Sequence, residues 1–214
     1  MFVKRTKHIA QKCKTNVWVY TFMVIFSCAA LSPLQAQEPG HEGGQEQAQA
    51  LSSTIGGRFM LEDHNGEIVT DQHFRNRFML ITFGYTYCPD ICPTNLVNMT
   101  VALEELGEQR AAKIAPLFVT VDPTRDTAAK LREYVAAFDE RIVGLTGPQA
   151  MIDNISKRYK VVSAVHKPEN WKDDDYLVDH TASIFLMAPD GQFLVKFAHG
   201  MPPEDMAKRI ADFL

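Results

Sequence analysis

Cys88 and Cys92 stand four positions apart in "FGYTYCPDICPTNL", residues 83–96, and each is followed directly by a proline. A thiol pair at that spacing can close a disulfide, exchange disulfides with a partner, or supply half of a site for a soft metal ion. Pro93 suits the first turn of a helix, where a missing N–H leaves no bond unmade. Leu96, Met99, Leu103 and Leu106 then continue an apolar stripe at helical spacing. With Cys88 in the loop and Cys92 in the first turn, residues i and i+4 face the same way. The helix N-terminus adds N–H groups and a positive end, which lower a thiol pKa and favour the thiolate. Three residues separate the pair, one more than in thioredoxin-type redox pairs. A disulfide is still allowed geometrically, and the thiolates can also diverge enough to grip one soft ion.

Two thiolates alone make a poor specific site, so a third donor is sought among the six histidines beyond the basic leader. His41 lies in a polar tether, His64 stands beside a hairpin turn, and His73 follows "TDQ". A solvated ring is the simplest reading for all three. His199 ends a strand in "FAHG", where a plain strand-end role outweighs ligation. His166 opens the polar segment "HKPENWKDDDY", an exposed insertion, and stands as an auxiliary candidate. His180, in "YLVDHTASIFLM", immediately precedes a buried strand whose entry the sheet order could bring beside the cysteine loop. Asp90 reads as a helix cap or turn residue. Asp122 and Asp126 read first as a structural turn with helix capping, and second as groups that orient the ligands.

The elements that must position these residues follow from the patterning. "RFMLEDHNGEIVTD" places Asn65-Gly66 between two short strand-like runs, a hairpin signal. "FMLITFG", Phe78 to Gly84, and "IAPLFVTV", Ile114 to Val121, are continuous apolar runs of the kind buried in central strands. "DTAAKLREYVAAF" and "PQAMIDNISKRY" predict helices, the first capped by Asp126 or Thr127. "ASIFLMAPDGQFLVKF" predicts a second hairpin turning at Pro189-Asp190-Gly191, and "PPEDMAKRIADFL" an amphipathic closing helix. The order is hairpin, strand, helix, strand, helix, helix, hairpin, helix. The fold class is therefore α/β: a thioredoxin-like mixed sheet flanked by helices, with an N-terminal hairpin and an inserted polar loop. Cysteines at the end of the first buried strand, just before its helix, lie where α/β sheets keep their chemistry.

The chain has 214 residues, enough for one domain with a proper core. Residues 1–36 read as a signal peptide or membrane anchor: five Lys or Arg without an acidic residue precede the apolar run Val17 to Leu31. Fifteen residues are short for a span, which takes about 20. Cleavage after Ala36, lipidation of Cys28 in "IFSC" and an uncleaved anchor all remain open, and each delivers the rest outside the cytoplasm. Residues 37–53, rich in Gly, Gln and Glu, read as a flexible linker; residues 54–214 form the folded domain. Beyond the leader, 17 basic residues face 26 acidic ones, a formal charge of −9. That argues against nucleic acid or anionic lipid as a partner. Of four cysteines only Cys88 and Cys92 fall in the domain.

The cysteine segment resembles the signature of the SCO/SenC family of membrane-tethered copper chaperones. The resemblance extends through "LFVTVDPTRDT" (117–127), "LREYVAAF", "GLTG" and "YLVDHTASIFLMAPDG", covering essentially residues 57–199. It implies a thioredoxin-like fold and copper, as Cu(I) and Cu(II), bound through Cys88, Cys92 and His180. The leader reads as bacterial and the acidic domain as periplasmic, attached to the inner membrane by an anchor or lipid. The partner implied by the resemblance would be the copper-bearing subunit of cytochrome c oxidase, or another copper protein, whose dinuclear centre the chain helps assemble. "NRFML" departs from the Gly-Lys-Pro type of lead-in to the first core strand, which bears on packing; "WKDDD", residues 171–175, has no counterpart in the family pattern. The chemistry agrees: soft thiolates favour Cu(I), and an added imidazole makes Cu(II) tolerable. Whether the chain is an enzyme stays open. A thiol-disulfide oxidoreductase would use Cys88 and Cys92 as its redox pair and tolerate loss of His180. A disulfide-stapled domain without exchange is the plainest alternative, but a bridge over so short a loop constrains little chain.

Overall fold

The computed structural model describes residues 55–172 and 175–214. The leader with Cys28, the linker, Thr54 and the middle of the "WKDDD" stretch lie outside the described residues. Among the described residues no helix is long and apolar enough to cross a membrane.

The Asn65-Gly66 hairpin forms as expected, from β1 (Met60–Asp63) and β2 (Ile68–Thr70). Gly66 takes the left-handed backbone (φ 88°) that the turn needs. Asp63 Oδ1 accepts the N–H groups of Asn65 and Glu67, at 2.8 and 3.0 Å. β3 (Phe78–Gly84) and β4 (Ile114–Thr120) are the two apolar runs. They pair in parallel from Phe78 opposite Ile114 to Gly84 opposite Thr120. Between them runs α1 (Ile91–Leu106), which buries Leu96, Met99, Leu103 and Leu106, the stripe read from the sequence. A one-turn helix, α2 (Glu108–Ala111), follows.

β5 (Val143–Thr146) lies parallel to β4 and antiparallel to β1. It was not expected: four residues carry too little pattern to signal a strand. α3 (Ala128–Ala136) precedes it, capped by the Thr127 hydroxyl, which accepts the Lys130 N–H. α4 (Gln149–Arg158) follows it. β8 (Ile184–Met187) and β9 (Phe193–Phe197) form the second hairpin, and α5 (Pro203–Ala211) closes the chain against α1.

The seven strands lie in the order β2-β1-β5-β4-β3-β8-β9. β3 is thus central, with parallel β4 on one side and antiparallel β8 on the other. Leu80, Ile81, Leu117, Phe118, Val119 and Leu186 are fully buried, each stabilising the fold by roughly 1.5–3 kcal/mol through burial. The mixed sheet flanked by helices is the expected architecture.

The other surprise is a separate two-stranded sheet, β6 (Ser163–His166) with β7 (Leu177–His180). The polar stretch beginning at Lys167 is the loop of this hairpin. All four residues of β6 are exposed, so no hydrophobic alternation marked it in the sequence.

Candidate metal centre

The site begins where β3 ends. A Cβ on Gly84 would lie 2.6 Å from Cys92 Sγ and 2.8 Å from Phe118 Cε2. The strand end is bare because the sulfur occupies that space. The loop from Tyr85 to Asp90 then turns the chain into α1, with the Cys88 N–H donating to the Tyr85 carbonyl at 3.2 Å. Asp90 occupies the N-cap position, but its side chain makes no capping bond. Its carbonyl does the local work, accepting from the N–H and hydroxyl of Thr94. Cys92, in the first turn, is 1% exposed, while Cys88 is half-buried. The Cys92 N–H donates to Cys88 Sγ at 3.4 Å. Both are free thiols here, and their sulfurs face the same way, as the four-residue spacing predicts.

His180 is the last residue of β7, opposite Ser163. Because β8 runs antiparallel beside β3, with Ile184 opposite Thr82, the segment entering β8 arrives next to the cysteine loop. His180 Nε2 lies 3.1 Å from Cys92 Sγ, and its ring meets Tyr85 edge-on at 6.0 Å. His180 Nδ1 is 3.2 Å from the carbonyl of Thr181. A carbonyl can only accept, so Nδ1 carries the proton and Nε2 turns its lone pair toward the sulfurs. The donor atoms of Cys88, Cys92 and His180 all lie within 4.8 Å of one another. At ordinary ligand bond lengths of about 2.0–2.3 Å, such a set can reach one ion together. Two soft sulfurs with one imidazole nitrogen select a soft or borderline cation.

The electrostatics divide the cysteines. Cys88 is pulled down to about 3, first by its hydrogen bond with Cys92 and then by the backbone N–H groups of Asp90 and Cys92, against the cost of desolvation. Cys92 is pushed up by that same hydrogen bond, by burial and by the Cys88 charge. One proton therefore stays on the buried sulfur, and the outer one is the thiolate. A cleft of about 270 Å³, lined by Cys88, Pro89, Asp90, Ile91, Asp179 and His180 among others, opens on the Cys88 side.

Among the described residues, the remaining histidines do not reach the cluster. His166 pairs with Leu177 at the far end of the hairpin from His180. His64 is not simply solvated: its Nδ1 accepts the Gly144 N–H at 2.9 Å, which locks β5 to the first hairpin, and burial lowers its pKa. His73 Nδ1 accepts the Thr70 N–H at 2.9 Å beside a short 3-10 turn. His199 donates from Nδ1 to the buried Asn95 Oδ1 at 2.9 Å.

Asp122 and Asp126 do more than cap. Asp126 is fully buried, and Thr127 caps the helix instead. The Asp126 carboxylate accepts from the Thr86 N–H (3.0 Å), the Thr86 hydroxyl (2.6 Å) and the Thr120 hydroxyl (2.7 Å), fastening the cysteine loop to the end of β4. Burial raises its pKa. Asp122 pairs with Arg125 and accepts the Tyr176 hydroxyl at 2.8 Å. Sequence reasoning passed over Arg125, Tyr85, Tyr87 and Tyr176, although three of them sit in the quoted "FGYTYCPDICPTNL" and "DPTRDT" stretches. Their roles show only once the hairpin is seen to fold onto them.

A family profile described as SCO1/SenC matches residues 47–214. Protein sco1 of Schizosaccharomyces pombe is 41% identical over 159 residues, which is 74% of this chain and 60% of that protein. The SCO2-like protein RC0895 of Rickettsia conorii is 39% identical over 153 residues, 71% of this chain and 73% of that protein. Among solved structures, Bradyrhizobium japonicum ScoI with copper bound superposes with a TM-score of 0.68 at 40% identity, covering 75% of this chain and 99% of that one. The chain spans 47% to 65% of the length of the fungal and mammalian relatives it matches.

Proposed function

The chain belongs to the SCO1/SenC family, and from that premise we propose that it is a copper chaperone that carries one copper ion on Cys88, Cys92 and His180. The observation that carries the reading is the donor set: two sulfurs and an imidazole lone pair within 4.8 Å. Copper is the cargo. Cys88 offers a thiolate in advance, Cys92 releases its proton as the ion enters, and His180 adds the harder donor that lets Cu(II) stay as well as Cu(I). The cleft beside Cys88 gives a recipient's ligand a route to the ion, so release needs no unfolding. The recipient we favour is the dinuclear copper centre of cytochrome c oxidase, the assembly role that the Sco family name carries in related structures. Another copper protein is the alternative.

We further propose that residues 54–214 are the functional domain, that 37–53 is a tether, and that 1–36 holds the domain at the inner membrane of a bacterium, facing the periplasm. The rickettsial and Bradyrhizobium relatives support a bacterial source.

A second reading is favoured by the split between the cysteines. A thiolate on the accessible Cys88 can attack a partner's disulfide, forming a mixed disulfide and expelling one partner sulfur, which takes up the Cys92 proton. The Cys92 thiolate then attacks Cys88 and expels the other. The partner gains two electrons and the chain ends as the Cys88–Cys92 disulfide. The two readings part in one experiment. Reduced protein loaded with one Cu(I) is mixed with a metal-free, pre-reduced copper-bearing subunit, and separately with its oxidised form. Copper transfer to the reduced recipient supports the chaperone. Reduction of the oxidised form, with no copper passed to the reduced one, would leave only the oxidoreductase.

A further inference from the structure

His180 belongs to a strand that makes no backbone pairing with the main sheet, yet it sits on the cysteines. The start of β8, four residues on, brings the chain to the cysteine loop, and side chains hold β7 itself in place. Five side chains do so. Tyr85 Oη accepts the N–H of Val178, two residues before His180, at 3.2 Å. Arg125 Nη1 donates to the carbonyl of Tyr176 at 3.0 Å. The Arg125 guanidinium lies over the Tyr176 ring, 3.5 Å from its centroid, with Tyr87 at 4.7 Å and Tyr85 at 5.6 Å. Asp122 pairs with that guanidinium and accepts the Tyr176 hydroxyl. Tyr85 and Tyr87 flank Thr86 in the cysteine loop, and Asp122 and Arg125 follow β4, so the knot ties the start of β7 to both segments that frame the sulfurs.

We infer that Arg125, clasped by Tyr85, Tyr87 and Tyr176, is a positioning residue that presents His180 to the cysteine pair and so sets retention of Cu(II) apart from retention of Cu(I). The chemistry makes the two separable. Two thiolates, one in the cysteine loop and one in the first turn of α1, suffice for Cu(I), and the Arg125 guanidinium bonds to a carbonyl and a carboxylate and stacks on rings rather than on the sulfurs. Cu(II) needs the harder imidazole donor, and that donor reaches the ion only while β7 is held. A guanidinium does this because it is planar and forked: it stacks on a ring, donates to a carbonyl and pairs with a carboxylate at once, which the point charge of a lysine cannot do. The inference rests on the copper reading above and deepens it.

The test uses Arg125→Lys, which keeps the charge, and Tyr176→Phe, which keeps the ring and loses only the bond to Asp122. Two readouts are taken. The first needs no metal: amide hydrogen exchange along β7, and the nuclear Overhauser contact between the His180 ring and Cys92 in the reduced protein. Exchange at Val178 should quicken and the contact should fade in Arg125→Lys, less so in Tyr176→Phe, while amides of β3 and α1 keep their protection. The second is copper. Cu(II) affinity should fall about 10-fold in Arg125→Lys, the low end for losing a group that orients a ligand, and the nitrogen hyperfine signal should weaken; Cu(I) affinity should stay within about twofold. Unchanged β7 exchange overturns the inference, as does loosened β7 with wild-type Cu(II) binding. Equal loss of Cu(I) and Cu(II) with lowered protection in β3 overturns it too, since that is plain destabilisation. If the wild type binds no copper, the chaperone reading falls, and the metal-free readout alone decides whether Arg125 positions His180.

Discussion

The two halves of the site are fixed by opposite means. Cys92 belongs to the most deeply packed part of the molecule, and Cys88 lies half-buried beside it. They follow β3, the central strand, and Cys92 sits in the gap that Gly84 leaves open, on a helix whose apolar face is wholly buried. The imidazole comes from a two-stranded sheet with one fully exposed strand, joined to the domain through an arginine and three tyrosines. Sulfurs set on the core with an imidazole supported separately would suit a carrier. One donor can be presented or withdrawn while the other two keep their grip, and an ion that must be both held and surrendered gains a graded exit.

If that contrast is right, damage on the sulfur side should cost stability and damage on the hairpin side should not. The largest effect is expected from Asp126→Ala, which strands the Thr86 and Thr120 donors and frees the cysteine loop. A loss of about 3 kcal/mol, read by chemical denaturation, should come with slower dithiol oxidation. Wild-type stability would mean that the buried carboxylate does not hold the loop. Gly84→Ala comes next. Its methyl must displace Cys92 Sγ or Phe118, at about 2 kcal/mol for overpacking, and metal binding should weaken alongside. A variant as stable as wild type with intact metal uptake would show that the strand end has room to spare.

Reactivity with pH sharpens the contrast within the pair. Because the folded-state pKa of Cys88 is depressed to about 3, its thiolate persists as pH falls from neutral, and alkylation there should stay flat until that region. Cys92, with its pKa raised, should resist the reagent throughout. An alkylation rate at Cys88 that climbs tenfold per pH unit below neutral would mark an ordinary thiol, near about 8.5. The smallest effect belongs to the hairpin: Val165→Thr, on the exposed β6 (67% exposed), should alter stability by less than about 0.5 kcal/mol. A loss several times larger would show that β6 packs on something more than β7.

The same contrast explains what could be read in advance. Continuous apolar runs at Phe78–Gly84 and Ile114–Val121 and the striped helix after Pro93 left little freedom, and β3, β4 and α1 lie where they were expected. Cys88 and Cys92 followed, because helical spacing alone brings their sulfurs together. β6 was illegible, since exposed residues paired only with one neighbour carry no apolar alternation, and β5 was too short to declare itself. Residue types made His180 one candidate among several; neighbours in sequence could not say which imidazole would be carried 88 positions back, and the family resemblance singled it out. Arg125 had no local signal, for its partners come from three separated stretches. Asp126 was taken first for a cap because aspartates before helices usually are; only burial reveals it as the clamp on Thr86.

The account stands most directly on the imidazole. Reduced wild-type protein and His180→Ala, each given one equivalent of Cu(II), would be compared by electron paramagnetic resonance, with Cu(I) affinity measured by competition in parallel. The expected result is a single copper per wild-type chain with nitrogen hyperfine coupling, and in His180→Ala loss of that coupling and of Cu(II) retention while Cu(I) is still held by the two sulfurs. A variant that keeps stoichiometric Cu(II) with an unaltered spectrum would contradict it.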